Sequence, residues 1–149
     1  MLYIVIVTLV LPLVAFAADS LPENVPRHSR YTAVTDQEIP ESVRATLDDD
    51  DGRPLKSISI DLNNDKLPEK LIPNETLCGK GGCPWIVYSP KHRKVIGSFL
   101  ADAFVVLDIS NGGYKSIQTY WNEGPADLQT AIFKFGNGQY ENVQPTPNE

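Results

Sequence analysis

Between Asp61 and Glu69 the chain reads DLNNDKLPE, with side-chain oxygens at Asp61, Asn63 and Asp65. Oxygen donors at alternate positions let a tight loop wrap a hard cation. Asp61, Asn63 and Asp65 take the first, third and fifth places, the Leu67 backbone carbonyl the seventh and the Glu69 carboxylate the ninth. The pattern predicts a calcium site with a structural job, because a catalytic cation needs open coordination beside an acid or base and the sequence indicates none there. The plainer reading of these residues is a polar turn, since Asn and Asp favour turns without any metal.

Further on, Cys78-Gly79-Lys80-Gly81-Gly82-Cys83-Pro84-Trp85 holds both cysteines of the chain. In an exported protein a pair this close is expected as a disulfide rather than a redox or metal pair. Closing so short a ring stabilises by roughly 2 kcal/mol, which shapes a turn more than it holds a fold. The three enclosed glycines do not make a phosphate cradle, which needs a helix after the loop, whereas Trp85 to Tyr88 reads as strand. A rigid glycine loop with Lys80 at its tip is instead a candidate contact surface. Two other candidates are the basic run Lys91, His92, Arg93 and Lys94, and the aromatic residues Tyr120 and Trp121 with Tyr114. A basic run is commonly only a solubilising turn, and alternation with Ile117 favours core packing for the aromatics.

Groups for covalent or acid-base catalysis are sparse. The two histidines, His28 and His92, fall in a charged lead-in and a charged turn. There is no G-x-S-x-G, and a disulfide leaves no free thiol. Glu123, Asp127 and Asp102 could serve as paired carboxylates for sugar hydrolysis only if the fold brought them together. The expectation is a protein that is not an enzyme. Asn74-Glu75-Thr76 matches the glycan acceptor pattern.

The segments that position these residues follow from composition. Leu2 to Ala17 is almost wholly apolar and ends in Ala15-Phe16-Ala17, the small-x-small site of a signal peptide, so residues 1–17 are expected to be removed and no stable membrane anchor to remain. Residues 18–34, with Pro22 and Pro26, read as an extended lead-in, residues 35–143 as a single β-rich domain, and residues 144–149 as a disordered tail. The net charge of −6 argues against nucleic acid as a partner, because the long-range field repels phosphate.

Thr35 with Glu38 matches a capping box ahead of a short helix expected around Pro40 to Asp48. From Leu55 the hydrophobic period becomes two, with turn signals at Pro90 to Lys94, Asn111-Gly112-Gly113, Gly124-Pro125 and Gly136-Asn137-Gly138. The expected fold is mainly β (α+β), an antiparallel meander of six to eight strands with one short N-terminal helix.

The nine residues from Asp61 resemble the D-x-N-x-D-G-x-x-D/E loops of dockerin-like and FG-GAP-like proteins, in which calcium ties a strand end to the next turn. Two departures stand out: Lys66 replaces the usual glycine, and Ile72 stands at position twelve in place of a bidentate Glu. From Ile58 to Tyr140 the acidic loop, the C-G-x-G-G-C-P-W strand, the N-G-G-Y turn and the F-x-F-G-N-G-x-Y hairpin are similar to small uncharacterised exported bacterial proteins. That resemblance implies a shared β fold and a calcium-type loop, and brings no catalytic residue. The expectation for function is a periplasmic or secreted binding protein that inhibits, or gives immunity to, a cell-wall hydrolase. The alternative is a calcium-dependent carbohydrate- or envelope-binding module using Tyr120, Trp121 and the metal loop.

Overall fold

The computed structural model describes residues 32–34 as backbone, and residues 39–47, 55–124 and 127–143 with their side chains. The expected signal peptide, His28, the Thr35 and Glu38 capping pair, the acidic run Asp48 to Asp51 and the tail after Val143 lie outside the described residues.

The fold is mainly β, as the period-two pattern predicts. Strands β1 (Thr32–Val34), β2 (Leu55–Ile60), β3 (Glu69–Pro73), β4 (Cys83–Ser89) and β5 (Lys94–Ala101) form a five-stranded sheet in that order. Strands β6 (Ala103–Asn111), β7 (Tyr114–Gly124), β8 (Asp127–Gly136) and β9 (Gln139–Val143) form a four-stranded sheet, also in chain order. Every neighbouring pair is antiparallel. The chain leaves the first sheet at Asp102, whose backbone N–H donates to the Tyr120 carbonyl at 2.8 Å and so starts the second sheet beside β7.

The short helix is present as α1 (Glu41–Arg44), continued by a 3-10 turn over Ala45–Leu47. Pro40 supplies its N-cap, and its carbonyl accepts the Val43 and Arg44 N–H groups. A proline suits this position because its fixed φ starts the chain toward the helix and its missing N–H is not needed there. The helix buries Ile39, Val43 and Leu47 against Leu55, Ile72 and Tyr88, and so covers one face of the first sheet.

The larger core includes Leu71, Trp85, Val87, Ile96 and Phe99 from the first sheet and Phe104, Ile117 and Tyr140 from the second. Trp85 anchors it: fully buried, it meets Phe104 edge-on at 5.1 Å between ring centroids, and its Nε1–H donates to the Ala101 carbonyl at 3.2 Å. A buried indole needs such a partner for its one donor. Chain-ordered antiparallel strands alternate their turns between two ends. One end gathers the Asp61 loop with the turns after β4, β6 and β8; the other gathers the disulfide loop, the Asp102 bend and the paired ends of β7 and β8 at Gly124 and Asp127.

Candidate functional site

The Asp61 loop folds as a compact set of side-chain-to-backbone bonds. Asp61 accepts the Asp65 N–H on Oδ1 at 3.2 Å and the Lys66 N–H on Oδ2 at 3.0 Å. Asn63 Oδ1 also accepts the Asp65 N–H, at 3.0 Å, and Asp65 Oδ1 accepts the Leu67 N–H at 2.9 Å. Asn64 and Lys66 both adopt left-handed backbone, with φ of 59° and 69°. Lys66 therefore holds the conformation that a glycine supplies in the loops this one resembles, and its side chain is exposed.

The remaining donors in the expected ligand set are engaged by protein groups. Asp65 Oδ2 accepts Asn63 Nδ2–H at 3.0 Å and the Lys91 ammonium at 3.0 Å. These bonds hold the Asp65 carboxyl below its ordinary value, the Leu67 N–H first and the Lys91 contact next. Asp65 in turn raises the Lys91 ammonium.

Glu69 is fully buried. Its Oε2 accepts the Leu62 N–H at 3.1 Å and its Oε1 the Ser89 hydroxyl at 3.4 Å. Burial pushes its carboxyl above the ordinary value, against the pull of the Leu62 N–H. The Leu67 side chain is exposed. Among the described residues no three His, Cys, Asp or Glu side chains come together in a metal-holding group. As arranged, the side-chain oxygens of Asp61, Asn63 and Asp65 accept N–H donors of the loop and of Lys91, and Glu69 accepts the Leu62 N–H and the Ser89 hydroxyl.

The loop is also tied to the second sheet. The Lys115 N–H donates to the Leu62 carbonyl at 2.7 Å, and the Tyr140 hydroxyl donates to the Lys115 carbonyl at 2.7 Å. Tyr114 is buried here, stacked on Phe135 at 4.1 Å, so it belongs to the core rather than to a surface.

At the opposite end Cys78 and Cys83 form the expected disulfide. Within it, Gly79 and Gly82 exchange backbone bonds of 2.9 and 3.1 Å, leaving Lys80 and Gly81 as a two-residue tip. Gly82 has φ of +98°, and a Cβ there would stand 2.2 Å from the Ala101 and Asp102 backbone. A Cβ on Gly81 would lie 3.7 Å from the Asn122 carbonyl oxygen, 3.8 Å from Leu100 Cδ2 and 4.0 Å from Trp121 Cδ1, so the loop rests against the second sheet and these two side chains. Leu77 and Leu100 are 57% and 45% exposed, and Trp121 is half-buried with its Nε1–H on Glu123 Oε1 at 3.3 Å.

The partner-contact candidates are therefore divided. Lys80, Trp121 and the half-buried Tyr120 lie at or near the disulfide end, whereas Lys91, His92 and Arg93 are exposed on the β4–β5 turn at the other end. Tyr114 and Trp121 sit seven positions apart on β7, about 24 Å in an extended strand. Asp102, Glu123 and Asp127 share the disulfide end; Glu123 is held by Trp121, and Asp127 accepts Gln129 Nε2–H at 2.7 Å. Sequence reasoning missed the exposed Leu100 and the pairing of Lys91 with Asp65. Opposite charges on two turns at the same end of a meander were the available signal for that pair.

No known protein family, no curated protein and no solved structure matches this chain. No helix among the described residues is long and apolar enough to cross a membrane.

Proposed function

We propose that this is a non-catalytic exported protein, working in the periplasm or outside the cell, that binds another protein through its disulfide end. The target class we favour is a cell-wall hydrolase, with the loop from Cys78 to Cys83 entering and occluding the cleft. One observation carries the reading: a disulfide-closed glycine turn lies beside Leu100 and Trp121, with Leu77 exposed on the same connection. A pre-shaped loop loses little freedom on binding, and exposed apolar side chains beside it supply the area that anchors interfaces. Lys80 at the tip adds a cation suited to an acidic cleft.

The test is inhibition of purified muramidases and cell-wall amidases on suspended cell walls. Stoichiometric slowing of clearance by the wild type, lost in Gly81→Arg and Leu100→Asp, supports occlusion by this end. Equal inhibition by wild type and both variants removes it.

The envelope-glycan alternative needs Tyr120 and Trp121 to act with the metal loop, and those features occupy opposite ends of the sheets. A sugar held at Trp121 would not touch a cation in the Asp61 loop. Calcium taken up by that loop would act as a brace for the turns around it.

A further inference from the structure

The Asp61 loop has oxygen donors at alternate positions and left-handed backbone at Asn64 and Lys66, and a cation from the protein itself stands on it. We propose that Lys91 is the built-in counter-ion of this loop, its ammonium on Asp65 Oδ2 supplying the positive charge that a divalent metal supplies elsewhere, so that the loop keeps its shape without calcium.

Three observations support the assignment. Lys91 arrives from the β4–β5 turn, 26 residues along the chain, and places Nζ 3.0 Å from Asp65 Oδ2. That oxygen also accepts Asn63 Nδ2–H, which fills both of its lone pairs and turns the Asn63 amide nitrogen, not an oxygen, toward the fifth ligand. The ninth ligand, Glu69, has withdrawn into the core to hold the Leu62 N–H and the Ser89 hydroxyl. A metal in this loop would have to displace a tethered ammonium and recruit a buried carboxylate.

The assignment also explains why Lys66 is tolerated in the glycine position. With its backbone left-handed, Lys66 gives its N–H to Asp61 Oδ2 while its side chain points to water. No divalent charge is then present for the exposed ammonium to oppose.

This proposal does not depend on the choice of partner at the far end, and its test reads the loop alone. Melting temperatures of the mature wild type, Lys91→Met and Lys91→Arg are measured in chelator and in 10 mM calcium, with magnesium as the ionic-strength control. The wild type and Lys91→Arg are expected to melt at the same temperature with and without calcium. Lys91→Met is expected to melt about 2–4 °C lower in chelator, the size of one exposed ion pair, and to recover with calcium because Asp65 Oδ2 has become free. A wild-type melting temperature that rises and saturates with calcium overturns the proposal. So does Lys91→Met melting with the wild type in chelator, or failing to respond to calcium.

Discussion

Gly97 on β5 lies directly against Tyr140 on β9: a Cβ built on the glycine would stand 2.6 Å from the Tyr140 Cβ. The backbone of β5 thus packs against the root of the Tyr140 ring, whose hydroxyl reaches on to the Lys115 carbonyl. Gly97→Ala is expected to destabilise by about 1–3 kcal/mol, since the added carbon meets the root of a buried side chain rather than a flexible tip. Urea denaturation measures this directly. An unchanged midpoint would show that the sheets can slide apart at no cost.

The glycines of the disulfide loop are expected to behave differently from one another. Gly82→Ala puts a methyl group into the Ala101 and Asp102 backbone at a positive φ, so a loss of at least about 2 kcal/mol is expected. Gly79→Ala meets nothing within 4 Å and should fall within about 0.5 kcal/mol of the wild type. Thermal melts of the two variants side by side check the contrast.

Replacing both Cys78 and Cys83 with alanine should lower stability by about 2 kcal/mol and leave the fold intact. Far-UV circular dichroism of the double variant should match the wild type, while its melting midpoint falls. Loss of the β signal would mean that the ring organises more than its own turn.

Glu69 makes stability depend on pH in a definite direction. Burial raises its folded-state value above the ordinary 4.5, so the folded protein binds this proton more tightly than the unfolded chain does. The buried charge therefore costs stability at neutral pH, and that cost is relieved as pH falls through the raised value toward 4.5. Glu69→Gln keeps an acceptor for the Leu62 N–H without the charge. Its stability relative to the wild type should be most favourable near pH 7 and decline toward pH 4. Asp65, whose value is lowered, acts oppositely: its contribution is present above 3.8 and lost as pH falls below it, in both proteins. A Glu69→Gln advantage that grows on acidification would contradict this account.

Much of the fold was legible because strand periodicity and turn residues agree. Ile58 and Ile60 alternating with serines, the glycine turns, and Pro40 ahead of Val43 and Leu47 each locate an element. The Asp61 loop was legible as a tight polar turn, since Asn and Asp side chains at alternate positions bond the backbone ahead of them. What local pattern could not supply was the third dimension. β1 has only three residues and pairs with β2 across a long connection, so no period marks it. Leu100 shares the outward face of β5 with Ser98, between buried Phe99 and Ala101, and only the fold brings Gly81 beside it. Lys91 read as part of a solvated basic run, and only the shared end of two hairpins brings it to Asp65.

The central claim is that the disulfide end is the contact surface, and inhibition titration against purified cell-wall hydrolases tests it most directly. The account predicts that at least one hydrolase is inhibited at one-to-one stoichiometry by the wild type and not by Leu100→Asp, while both proteins melt at the same temperature. Inhibition that survives Leu100→Asp and Gly81→Arg alike, or no inhibition of any hydrolase in the panel, would contradict it.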